Sequence, residues 1–147
     1  MSQKDVELVR NWEVLLPSGT ELKSAFTDEE FLSRMRQIVD PEATTRFVDT
    51  EGGPLGDNEP DRRGFEGLQA GWAEWLEPWA GFWIDFEDYF DAGEGTVLAL
   101  VELKGRSHAG VDVSQPAAAL FRLRDRLIVS MDFYMDRDQA RRAAGLD

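Results

Sequence analysis

The apolar residues of this chain change their period at about residue 80, and that change restricts the fold more than any other feature of the sequence. Phe65, Leu68, Trp72, Trp75, Leu76 and Trp79 recur every three or four positions, the spacing of one helical face. Further on, apolar residues alternate with polar ones, as in strands that bury a single face. Strands are expected over 83–91, 96–106, 111–124 and 127–135, separated by the turn segments Gly93-Glu94-Gly95, Ser107-His108-Ala109-Gly110 and Asp125-Arg126. Such a series folds as an antiparallel meander.

The first half supplies the helices that cover it. Ser2-Gln3-Lys4-Asp5 has the spacing of a helix start, and Val6, Leu8, Val9, Trp12, Leu15 and Leu16 share a face until Pro17-Ser18-Gly19. Thr27-Asp28-Glu29-Glu30 reads as a capping box with Thr27 as the cap. Phe31, Leu32, Met35, Ile38 and Val39 follow at helical spacing up to Asp40-Pro41. Residues 42–48 suit a short strand and Glu51 to Arg62 a surface loop, while Asp136 caps a short closing helix, 139–144, before Gly145. The expectation is one α+β domain over 1–147: three N-terminal helices on a curved, mostly antiparallel sheet, with a short C-terminal helix and an internal pocket.

Charge narrows the partners. With 29 Asp and Glu against 16 Lys and Arg the formal net charge is −13, which repels nucleic-acid phosphates and anionic membrane surfaces. No apolar run approaches the ~20 residues of a membrane span, and the first residues lack a signal peptide's basic and apolar blocks, so a cytoplasmic protein is expected. There is no cysteine and one histidine, and no Gly-rich phosphate loop follows a strand, so the sequence predicts no metal, nucleotide or flavin cofactor.

Several segments, taken in order, carry a resemblance. Arg63-Gly64-Phe65-Glu66-Gly67-Leu68, Trp72, Trp75-Leu76-Glu77-Pro78-Trp79, Asp91-Ala92-Gly93, Leu123-Arg124-Asp125 and Tyr134-Met135-Asp136-Arg137 resemble the SnoaL-like branch of the nuclear transport factor 2-like (NTF2-like) superfamily. The resemblance spans nearly the whole chain. It implies a cone-shaped α+β barrel that holds a small, mostly apolar molecule and forms a homodimer through the outer sheet face. Relatives include isomerases, dehydratases, cyclases and epoxide hydrolases, so the fold implies a pocket and not a reaction.

Strand parity indicates what lines the cone. Val111, Val113, Gln115, Ala117, Ala119, Phe121 and Leu123 share one face of the longest strand; Val97, Ala99, Val101 and Leu103, with Ser107 at the end, share that of the strand before; Val129, Met131 and Phe133 share that of the last. The resemblance implies a catalytic carboxylate where this chain has Phe133 and a histidine where it has Ala119. The expected ligand pocket comprises Trp12, Trp72, Trp75, Trp79, Gln115, Ala119, Phe121, Met131 and Phe133. Two residues are candidates for acid–base work: Glu13, either raised in pKa against the tryptophans or a helix-flank carboxylate in solvent, and His108, either a base at the cone mouth or a solvated turn residue. Asp132 and Tyr134 fall on the outward face, and Arg46 suits either an anionic ligand group or, more commonly for such a residue, a surface ion pair.

Three functions are compatible with this pattern. One is a small hydrophobic-molecule-binding protein. Another is a cofactor-independent isomerase, dehydratase, cyclase or epoxide-hydrolase-like enzyme acting on a polyketide- or steroid-like metabolite. The third is a dimeric interaction module whose cavity is filled.

Overall fold

The computed structural model describes residues 21–48, 62–93 and 95–146, together with Glu7 alone. In chain order the elements are α1 (Leu22–Ala25), α2 (Glu29–Ile38), β1 (Val39–Val48), β2 (Arg62–Arg63), α3 (Gly64–Leu76), β3 (Trp79–Gly93), β4 (Thr96–Ser107), β5 (Asp112–Arg124), β6 (Leu127–Tyr134) and α4 (Arg137–Ala144). The expected helix over 2–16 and most of the expected loop from Glu51 lie outside the described residues. Among those residues, no helix is long and apolar enough to cross a membrane.

The sheet runs β2-β1-β6-β5-β4-β3 and is open at both edges rather than closed into a barrel. β3 to β6 form the expected meander, whereas β1 returns to lie parallel to β6, pairing Thr45 with Met131 and Arg46 with Asp132. Helices α1 to α3 cover the inner face, where Leu22, Met35, Leu68 and Trp72 meet Val97, Ala99, Phe121 and Met131. On the outer face Ala140 of α4 packs with Leu98, Leu100, Ala118, Leu120 and Tyr134. Consequently residues 117 to 121 of β5 are buried on both sides, while 112 to 116, beyond the helices, are exposed on both. Parity alone could not show this, because it ranks the two faces and says nothing of where the cover stops.

Local chemistry accounts for the boundaries. Asp28, not Thr27, caps α2 by accepting from the Glu30 amide at 3.0 Å; Thr27 instead donates to the Ser24 carbonyl at 2.8 Å and so closes α1. Glu21 caps α1 through the Lys23 and Ser24 amides at 2.7 and 2.9 Å, and also accepts from the Phe82 amide at 3.0 Å. One carboxylate thereby ties α1 to the start of β3. The expected helix over 65–79 ends at Leu76, and Trp79 opens β3 instead, its ring lying across Gly105. A Cβ at Gly105 would come within 2.6 Å of that ring, so glycine is what admits the contact.

The last strand also departs from simple alternation. Arg122 pairs with Ser130 but Leu123 with Ile128, leaving Val129 as the extra residue of a bulge. Ile128 therefore enters the core at 1% exposure, and Val129, expected inward, is only half-buried. The β5–β6 turn holds Asp125 and Arg126 at φ of 54° and 70°, both in the left-handed region.

Candidate functional site

Between α3 and the inner sheet face lies a small cavity of about 30 Å³. Trp72 and Trp75 come from α3 because positions three apart share a helical face. Ile84 and Phe86 of β3, Val101 and Leu103 of β4 and Phe133 of β6 form the walls; Ala117 and Ala119 form the floor, and Met135 stands at the end of the last strand. Ala99 and Ala119 are register partners, as are Val101 and Ala117. Space exists because β5 carries alanine where a larger residue would reach α3.

The walls are aromatic and interlocked. Trp72 meets Phe133 edge to face at 5.1 Å and stacks on Phe26 at 5.9 Å, while Phe133 contacts Phe121 at 6.3 Å. Trp72 is 2% exposed, but Trp75, Phe86 and Phe133 are half-buried. Among the described residues around this cavity there is no carboxylate, histidine, lysine or arginine.

The expected site residues separate accordingly. Trp72, Trp75, Ala119 and Phe133 line the cavity together. Phe121 and Met131 are core residues at 1% and 0% exposure, outside its lining, because the rings in front of them occupy the space. Trp79 is displaced from the helix into β3, where it packs on Phe82 at 5.5 Å. Gln115 is exposed on the uncovered part of β5; its side-chain amide donates to the Met135 carbonyl at 3.4 Å and to that of Pro116 at 3.2 Å, so it reaches the cavity only through Met135. His108 is also exposed, with Nε2 3.3 Å from the Glu77 carbonyl, and does not line the cavity. Trp12 and Glu13 lie outside the described residues.

Ile84 and Phe86 were absent from the expected pocket. Phe82, Ile84 and Phe86 alternate with Trp83, Asp85 and Glu87, the same period that identified the neighbouring strands. The signal stops at Glu87, where β3 bulges between its pairings of Phe86 with Val101 and Asp88 with Leu100.

The outer face carries the charges. Asp132 is 8% exposed, with Arg46 and Arg122 reaching its Oδ2 at 3.4 and 3.3 Å. Beside it, burial foremost and then the Asp132 charge push the Tyr134 phenol above its usual range, against the opposing pull of Arg46 and Arg122. Arg137, at the start of α4, donates through Nη2 to the Val101 carbonyl and the Glu87 carboxylate, both at 2.7 Å, and through Nε to the Ala117 carbonyl at 3.0 Å.

No family model and no curated protein matches this sequence. Solved structures do. A Jannaschia protein provisionally named a SnoaL-like polyketide cyclase is similar with a TM-score of 0.67 at 17% identity, over 99% of this chain and 94% of that one. TerC, co-crystallized with polyporic acid, is similar with a TM-score of 0.62 at 12% identity over 84% and 95% of the two chains. A Mycobacterium tuberculosis protein in complex with estradiol-17β-hemisuccinate gives a TM-score of 0.54 at 15% identity over 75% and 82%.

Proposed function

Starting from the NTF2-like cone fold in its SnoaL-like form, which this chain has, we propose that it is a cytoplasmic protein that binds a small hydrophobic molecule in the cone. The observation that carries this reading is the cavity itself: an alanine floor under an aromatic wall, with no carboxylate, histidine, lysine or arginine among its described residues and Tyr134 as their one phenol. Its present volume of about 30 Å³ accommodates a water rather than a metabolite, so a ligand enters by turning rings aside. Trp75, Phe86 and Phe133 are placed for that movement, being half-buried at the cavity while Trp72 behind them is fixed in the core. The similar structures with polyporic acid and estradiol-17β-hemisuccinate support a flat, largely apolar ligand.

Acid–base chemistry in this cone would have to draw on the Tyr134 phenol, the one titratable side chain among the described lining residues, or on Glu13, the residue the sequence offers. A homodimer through the outer face is limited to the part that α4 leaves uncovered, where Trp83, Lys104, Arg106 and Ser114 border an open groove; sedimentation equilibrium measures it.

The binding reading is tested with Ala119→Phe, which fills the floor, and an uncharged polyaromatic fluorophore as probe. Wild type is expected to bind it saturably with quenching of tryptophan emission, and the variant to bind at least about tenfold more weakly, the loss of roughly 1.4 kcal/mol. Equal binding by both proteins would overturn the proposed location. Far-UV circular dichroism of the variant separates a filled pocket from a lost fold.

A further inference from the structure

Arg137, the first residue of α4, touches three neighbouring strands at the level of the cavity. Its Nε donates to the Ala117 carbonyl of β5 at 3.0 Å, and its Nη2 to the Val101 carbonyl of β4 and the Glu87 carboxylate of β3, both at 2.7 Å. Ala117 and Val101 are register partners that line the cavity, and Phe86, the wall residue just before Glu87, pairs with Val101. Met135, shortly before Arg137 in the chain, lines it as well. One guanidinium group therefore holds the row of the sheet from which the cavity is built.

The β3 end of that row has the most freedom. β3 is an edge strand, paired with β4 alone, and Glu87 is the extra residue of its bulge, without a register partner between the pairs of Phe86 with Val101 and Asp88 with Leu100. Glu87 is tied instead by its ion pair with Arg137, the two side chains being 44% and 27% exposed. Lys104 also attracts the Glu87 charge, but its ammonium contacts Asp85 at 2.6 Å. Of the half-buried rings at the cavity, Trp75 stands on α3 and Phe133 on β6, which has a strand on either side. Phe86 alone of the three stands on an edge strand, beside the bulge, stacked on Tyr89 at 6.0 Å.

We propose that Glu87 and Arg137 form a latch that governs entry to the cavity: their ion pair holds the β3 bulge, and with it the Phe86 ring, in the closed position, and its release lets that ring turn aside for the ligand. This rests on the reading of the cavity as a binding site whose rings must move, and it names the residues that set the movement. Both are positioning residues, acting through Phe86. The closed cavity of about 30 Å³ holds a water and not a metabolite, so the apparent affinity is reduced to the fraction of molecules that are open. Weakening the latch raises that fraction and tightens binding, whereas a loss of stability alone does not tighten it.

The test uses the whole chain, the uncharged polyaromatic fluorophore and Glu87→Gln, which keeps the shape of the side chain and removes its charge. Arg137→Lys, which loses the planar fork, is the second variant, and Glu29→Gln, an exposed carboxylate on α2, is the control for charge. Equilibrium titration and stopped-flow association are measured together with relaxation dispersion at the Phe86 ring of the ligand-free proteins. Glu87→Gln is expected to bind about threefold more tightly, with faster association and increased exchange at Phe86, the scale set by a partly exposed ion pair. Arg137→Lys should act in the same direction and Glu29→Gln should match wild type. Because the probe is uncharged, added salt should speed association with wild type and leave Glu87→Gln unchanged. Unchanged Phe86 exchange in Glu87→Gln, weaker binding by it, or an equal gain in Glu29→Gln would each overturn the latch and leave the cavity reading standing. Failure of every protein to bind would overturn the cavity reading instead, and the ligand-free exchange at Phe86 would still decide the latch.

Discussion

Arg126 shows how a single residue can work against its own turn. Asp125 and Arg126 both adopt positive φ, the conformation that the twist of a tight hairpin requires, and a β-carbon at Arg126 has to be accommodated there. Arg126→Gly should therefore raise stability by about 1 kcal/mol, measured as a higher urea midpoint at unchanged m. Glu21 provides the opposite case, a residue whose charge suits its position. Burial alone would raise its pKa, but the Lys23, Ser24 and Phe82 amides that donate to its carboxylate outweigh burial and hold it below the ordinary 4.5. Because the folded value is depressed, the stabilisation is present above the ordinary value and drains away as pH falls through the folded one. Glu21→Gln should flatten the stability profile below about pH 5 and lower stability at neutral pH, as chemical denaturation across that range would show.

At the level of elements, period was the informative quantity and boundaries were not. The meander, the helix bearing Trp72 and Trp75 and the short closing helix were legible because their apolar spacing is regular over several turns or pairs. Thr27 and Asp28 are both competent caps, and only the Thr27 bond to Ser24 decides between them. Gln115 and Val113 satisfy inward parity on a part of β5 that no helix covers, so their faces were read correctly and their burial was not. Bulges at Glu87 and Val129 shift the alternation without a local signature in composition. The cavity was half legible for the same reasons: its helical side follows from spacing, whereas its β3 side depends on a strand that bends. That bend also has an energetic partner. Arg137 binds Glu87 and two strand carbonyls, fastening α4 over the outer face. Arg137→Ala should cost roughly 2–3 kcal/mol and loosen α4, seen as faster amide exchange in α4 ahead of the rest of the chain.

For the molecule as a whole, the sheet separates two chemistries. Its inner face is an apolar enclosure built by helices from the first half of the chain, and its outer face is an apolar centre under α4, bordered by charge. The same backbone thus presents a hydrophobic interior and an arginine-bearing exterior through alternate residues, as at Phe121 beside Arg122 and Phe133 beside Asp132. The parallel pairing of β1 with β6 has a consequence in time as well as in space. β1 is complete by residue 48, yet its partner ends at residue 134. As the chain leaves the ribosome, β1 can meet β2 and the early helices, but its edge toward β6 must wait until residue 134 has been made. Closing so long a loop is slow for a chain of this size. The native sheet therefore forms only once β6 has been made, and the nascent segment between β1 and β6 is the interval in which a chaperone has the most to hold.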